Sequence, residues 1–163
     1  MSGCCSGENR VRVEVEYLDV DGETCERCAG TRDHAREAVV RAQAHLAPMN
    51  VVVEIAERKL GSSAVDRSNR VLVEGRLVED WLGGSAGVSE CPSCADLLGA
   101  DSVCCRDVEI AGVRSESVGA DAVFDAIMMA AGLDSGARAV GGPGVAGATV
   151  ADALEVTIVT EPG

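Results

Sequence analysis

The 163 residues predict one α/β domain. Three observations carry that expectation. Apolar and charged residues alternate along VRVEVEYLDV, with Val11, Val13, Val15 and Tyr17 on one side and Arg12, Glu14 and Glu16 on the other. Apolar residues then recur at helical spacing over 31–47. The β-branched run VVVEIAERKL at 51–60 reads as a second strand. A helix between two strands makes them a parallel pair joined by a right-handed crossover.

The elements follow in order. Residues 1–10 are small and polar, carry Cys4 and Cys5, and read as a flexible arm. After the first strand, Asp21-Gly22 marks a turn, and Thr24 is the expected N-cap of the helix. Ala35, Ala38, Val39, Ala42 and Leu46 form its buried stripe, and Pro48 and Asn50 close it. Residues 61–70 read as a polar loop. In VLVEGRLVEDWLGG, the runs 71–73 and 77–78 flank Glu74-Gly75 and predict a tight antiparallel hairpin. Trp81 and Leu82 begin a helical turn or cap the sheet. Residues 83–117 hold four cysteines with poor periodicity, and read as an irregular insertion with a short helix at 94–98. Residues 117–132 form an amphipathic helix with Val118, Val123, Ile127 and Met128 inward, Phe124 beside them and Gly132 as its stop. The domain therefore spans 11–132. Residues 133–163 are a glycine-rich linker and tail, with either a strand or a frayed end at 154–160.

Composition excludes several functions. Acidic residues outnumber basic ones 27 to 14, for a net charge of −13. Nucleic-acid binding needs a basic face, and single strands need aromatic platforms; Tyr17, Trp81 and Phe124 are the only aromatic residues. No apolar run reaches the ~18 residues of a membrane span, and no signal peptide is recognisable, so a cytoplasmic setting is expected. His34 and His45 share a helical face but lie about 16 Å apart, so they cannot share a metal. No Ser/His/Asp set, phosphate loop or dinucleotide fingerprint is present.

The eight cysteines carry the chemistry. They form four close pairs, Cys4–Cys5, Cys25–Cys28, Cys91–Cys94 and Cys104–Cys105. In a chain this long, redox or metal chemistry is the better reading than a disulfide framework. Cys25 and Cys28 stand where the first strand gives way to the first helix. Helix N-termini favour thiolates, and the buried stripe extends back to Cys28, leaving Cys25 exposed at the cap. That asymmetry suits dithiol exchange, with Cys25 attacking a disulfide and Cys28 resolving the mixed disulfide. Arg27 favours the thiolate, while Glu23 and Glu26 oppose it.

The strand–CxxC–helix opening and the VLVEGRLVEDW hairpin resemble thioredoxin- and glutaredoxin-like proteins. GETCERC, SNRVLVEGRLVEDWL and CPSC together resemble a functionally uncharacterised prokaryotic family usually placed among them, over roughly 10–132. The resemblance implies a thioredoxin-like β-α-β-β-β-α core with a cysteine-rich insertion before the last helix. It matches Cys25 to the attacking cysteine and Cys28 to the resolving one. One departure stands out: thioredoxins carry a cis-proline before the third strand, where this chain reads Ser68-Asn69-Arg70. Metal capture by the dithiol is easier without it.

Cys91, Cys94, Cys104 and Cys105 fall within fifteen residues and could close one tetrahedral site. Adjacent cysteines seldom both ligate one zinc, so a vicinal disulfide or a thiophilic ion is an alternative for Cys104-Cys105. A further option is a relay that passes oxidising equivalents between Cys25–Cys28 and Cys91–Cys94. The functional expectation is thus a thiol–disulfide oxidoreductase acting on a protein or small-molecule disulfide or thiol. Its alternative is a non-catalytic binding protein for zinc or a thiophilic metal(loid). No motif demands a cofactor; zinc and iron–sulfur clusters both accept a cysteine set like the insertion's, and zinc is the candidate carried forward.

Overall fold

The computed structural model describes residues 9–133 and 158–161. The chain is a mixed α/β protein. Strand β1 (Asn9–Leu18) leads to helix α1 (Glu26–Leu46), which returns the chain to β2 (Val51–Leu60). β1 and β2 pair in parallel from Asn9↔Val51 to Leu18↔Leu60. β3 (Arg70–Val73) runs antiparallel to β1, and β4 (Arg76–Leu77) completes the hairpin. The short helix α2 (Val78–Trp81) follows directly. β8 (Ile158–Glu161) pairs in parallel with β2 at the far edge. Among the described residues the first sheet has the order β4-β3-β1-β2-β8.

Glu-Gly succeeds as a hairpin turn because Glu74 is anchored. Both central residues have positive φ, 51° at Glu74 and 75° at Gly75, as a strand-compatible two-residue turn requires. The Glu74 amide donates to the Arg12 carbonyl at 2.9 Å, and its carboxylate accepts the Arg12 amide at 2.6 Å. These bonds to β1 offset the cost of a left-handed non-glycine residue.

α1 packs on β1, β2 and the helix α4 (Ala120–Ala130). Ala35, Ala38, Val39, Ala42 and Leu46 are buried on α1 as the stripe predicts, facing Val123, Ala126 and Ile127 of α4 in one core. Met128 is only partly buried. Buried Gln43 donates to the Val51 carbonyl at 3.0 Å and accepts the Val53 amide at 2.8 Å, holding β2 to the helix. α1 begins earlier than its apolar stripe, and its N-cap is Cys25 rather than Thr24.

The alternation in β1 ends at Glu16, which is 2% exposed. β1 lies mid-sheet, and the turn Ser62–Arg67 covers this part of its polar side. Arg67 donates to Glu16 at 2.8 Å and the Arg70 Nε donates to it at 2.7 Å, so the buried carboxylate has its charged partners.

The region read as an irregular insertion is ordered. It forms β5 (Ser85–Glu90), α3 (Pro92–Leu98), β6 (Cys104–Ile110) and β7 (Val113–Ser115), with the strands in a separate antiparallel sheet of order β5-β6-β7. Its strands escape a hydrophobic reading because two of their four buried residues, Arg106 and Asp107, are charged. Arg106 pairs with buried Glu79 of α2, and buried Asp107 with Arg114 at 3.3 Å. Cys4, Cys5, most of the arm and the glycine-rich linker lie outside the described residues, as do 154–157 of the expected last strand. No helix among the described residues is long and apolar enough to cross a membrane.

Candidate metal centre

Two CxxC motifs open two helices in the same way. Cys25 is the extended N-cap of α1 and Cys28 lies in its first turn; Cys91 is the extended N-cap of α3, with Pro92 at the first helical position and Cys94 two residues on. The two helix starts meet. The Ser93 hydroxyl, inside the second motif, accepts the Glu26 amide, inside the first, at 3.1 Å. The same hydroxyl lies 3.5 Å from the Cys91 sulfur. A free amide of α1 is thereby satisfied from α3.

β6 brings the next sulfur. Cys91 donates its amide to the Val103 carbonyl at 2.8 Å, fixing the start of α3 beside β6. Cys104 and Cys105 are neighbours on one strand, so their side chains leave on opposite sides. Cys105 turns inward and is 1% exposed, whereas Cys104 is exposed. The vicinal pair therefore does not enter one site.

The thiol sulfurs of Cys25, Cys91, Cys94 and Cys105 all lie within 4.8 Å of one another, and all four residues are buried. A tetrahedral ion with ~2.3 Å bonds to sulfur needs sulfurs about 3.8 Å apart, which this set reaches by a small contraction. Cys28 stands outside the set, fully buried behind Cys25 and beside Leu18 and Ser68. Cys25 is not exposed at its helix cap; at 1% exposure it is covered where α3 crosses the start of α1. The structure thus gathers three of the insertion cysteines with Cys25, and leaves Cys104 apart.

The electrostatics follow from sulfur donors around one sulfur. The Cys105 thiol, then the Cys28 thiol, donate to Cys25 and hold its pKa far below that of an ordinary thiol. Those donors are correspondingly reluctant to ionise: donation to Cys25, then burial, pushes Cys28 and Cys105 up. Burial raises Cys94 to about 11.

Arg27 acts differently from its sequence expectation as a flanking charge. Its guanidinium is 4% exposed and donates to the carbonyls of Ser89, Glu90 and Cys105, to the Ser89 hydroxyl at 2.9 Å and to Glu116 at 3.0 Å. It ties β5 and β6 together on either side of Cys91 and Cys105. Asn69, with a φ of 62°, occupies the stretch where a cis-proline is absent, and no peptide bond among the described residues is cis. Its amide donates to the Arg106 and Glu116 carbonyls at 2.7 and 2.8 Å, and its oxygen accepts the Thr31 hydroxyl. Sequence reading missed Asn69 and Ser93 as organisers. A buried side-chain amide leaves no periodic signal, and a serine inside CPSC looks like a spacer.

His34 meets the Val118 carbonyl at 3.1 Å, and His45 lies edge-on to Phe124 at 5.4 Å; neither belongs to the sulfur cluster.

An archaeal relative from Archaeoglobus fulgidus, described as an uncharacterized protein, is 38% identical over 118 residues, covering 70% of this chain and 82% of the relative. No solved structure matches the chain. The profile of one family, domain of unknown function DUF2703, matches residues 11–127, nearly the whole stretch from β1 through the cysteine cluster to α4, and the chain belongs to that family.

Proposed function

We propose that the chain binds one thiophilic metal ion, zinc foremost, through the thiolates of Cys25, Cys91, Cys94 and Cys105. One observation carries the reading: four buried sulfurs from the starts of α1 and α3 and from β6 lie within 4.8 Å of one another. Soft thiolates select zinc, copper(I) and related ions, and a closed all-sulfur set suits a structural or storage role. The ligands come from both sheets' surroundings, so the ion would join the β5–β7 unit to the first helix. Metal binding of this kind contributes directly to folding.

Thiol–disulfide exchange is the second reading, on a thioredoxin-like frame. It is supported by the β1-α1-β2 unit flanked by the β3–β4 hairpin, and by the Cys28 thiol donating to Cys25. Cys25 would be the nucleophile, Cys28 the resolving thiol, and a protein or small-molecule disulfide the partner, in a reducing cytoplasmic compartment. The burial of Cys25 ranks this reading second, because an attacking sulfur must meet its substrate.

Elemental analysis of anaerobically purified, zinc-supplemented protein tests the first reading. Wild type and Cys104→Ser should each hold about one ion per chain, and Cys105→Ser should lose it. Full metal content in Cys105→Ser, or none in the wild type, rejects the tetrathiolate.

A further inference from the structure

We propose that the cluster takes two copper(I) ions where it takes one zinc, with Cys28 as a fifth ligand and the Cys25 thiolate bridging the pair. The inference extends the four-sulfur site proposed above and rests on it.

Cys25 belongs to two sets at once. Its sulfur lies within 4.8 Å of the sulfurs of Cys91, Cys94 and Cys105. It also meets the Cys28 thiol, which is fully buried and outside that set. Cys25 is the N-cap of α1 and Cys28 the third residue of the helix, so both side chains rise from one helix start. Five thiols are thus contiguous through Cys25, each no more than 2% exposed. A tetrahedral zinc uses four of them and leaves Cys28 out. A buried cysteine can serve simply as a small apolar side chain. Cys28 does more than fill space, because it stands against a ligand sulfur.

Copper(I) suits such a set. It is soft, selects thiolates, and is satisfied by two or three of them. A thiolate keeps lone pairs after its first bond, so one sulfur can hold two soft ions. Cys91, Cys94 and Cys105 hold the first ion, Cys25 and Cys28 grip the second, and the Cys25 sulfur bridges to the first. Two copper(I) ions bring the same total charge as one zinc ion, so the exchange leaves the metal charge in this buried place unchanged. Each thiol that binds releases its proton to solvent. Copper stays monovalent throughout, and the step needs neither oxidant nor reductant.

The test uses a full-length parent carrying Cys4→Ser, Cys5→Ser and Cys104→Ser, which keeps only the five thiols of the cluster. The parent is reduced, freed of metal and loaded anaerobically with zinc or with copper(I) as its acetonitrile complex. Loosely held metal is removed with a competing chelator. Elemental analysis gives metal per chain, and X-ray absorption shows whether each copper has a copper neighbour. The parent should hold one zinc, or two copper(I) ions within one cluster. Adding Cys28→Ser or Cys28→Ala should halve the copper content and erase the copper neighbour, while zinc stays at one. A Cys28 that only fills space would not give this split, since lost packing acts on both metals alike. The proposal is overturned if the parent stops at one copper, or if either Cys28 variant keeps two. If both variants misfold, alkylation of the copper-loaded parent decides. Equal protection of all five cysteines upholds the proposal, and faster labelling of Cys28 than of the other four overturns it. A parent with one zinc but only one copper overturns this inference and leaves the tetrathiolate standing. A parent that takes up neither metal removes both.

Discussion

The Ser93 hydroxyl accepts the Glu26 amide at 3.1 Å, so a residue within one CxxC motif caps the helix opened by the other. The contact links α3 to α1 at the point where four cysteine sulfurs meet. It also gives an orphan N–H at a helix start its partner, a role in which a hydroxyl contributes about 1 kcal/mol.

Ser93→Ala should therefore lower the stability of the metal-free protein by about 1 kcal/mol. Urea unfolding followed by circular dichroism checks this through the midpoint at unchanged slope. A variant as stable as the wild type would mean that the Glu26 amide is satisfied by water.

Arg27→Met keeps the length of the side chain and removes its donors. The carbonyls of Ser89, Glu90 and Cys105 then lose a charged partner in a buried place. A loss of about 3 kcal/mol is expected, with weaker zinc retention against a competing chelator. Arg27→Lys should recover only part of it, since an ammonium cannot reach this fork of acceptors at once. Equal stability of Arg27→Met and wild type would show that the guanidinium is dispensable to β5 and β6.

The thiols set an alkaline limit on the metal-free protein. Cys94 is raised from 9.0 to about 11 by burial, and Cys28 and Cys105 are raised as well. A thiol whose folded pKa lies above its unfolded value stabilises the fold fully below the unfolded pKa, and loses that contribution as pH rises toward the folded one. Stability should therefore fall from about pH 9 upward, by up to about 1.4 kcal/mol per pH unit for each raised thiol. Cys25, being lowered, acts in the opposite sense: its contribution is present above pH 9.0 and declines as pH falls below that value. Denaturant titrations across pH 7–11, with and without zinc, test the alkaline arm. The slope should vanish in Cys94→Ala only in part, and zinc should flatten it.

Gly84→Ala probes the junction between α2 and the second sheet. A Cβ at Gly84 would lie 2.2 Å from the Glu109 carbonyl oxygen, a backbone atom that cannot swing aside. The Gly84 amide meanwhile donates to Glu79 at 2.7 Å, so the chain cannot retreat without losing that bond. A cost of about 1–3 kcal/mol is expected, read as a lower thermal midpoint. Gly61→Ala, with open space around its Cβ, serves as the tolerant comparison.

Much of the α/β frame was legible in one dimension because its signals are local and periodic. β2 runs from Val51 to Leu60, as its β-branched run predicts, and the α1 stripe is buried as read. The β5–β7 sheet was not legible. Val88 and Val113 are exposed there, while Arg106 and Asp107 are buried beside their ion partners, so hydropathy points the wrong way. The same holds for Glu16 in β1: the arginines brought from β2, Ser62–Arg67 and β3 make its burial tolerable.

By itself the sequence determined where thiols would stand relative to secondary structure. A CxxC placed between a strand and a helical stripe must open that helix, since both signals depend on neighbours within a few residues. Tertiary structure alone decided which sulfurs share a site. Strand alternation turned Cys105 inward and Cys104 outward, and the packing of α3 on the start of α1 buried Cys25 among the insertion's cysteines. Those contacts join segments far apart in the chain, and they rest on buried hydrogen bonds of Arg27, Asn69 and Ser93 that no periodicity encodes.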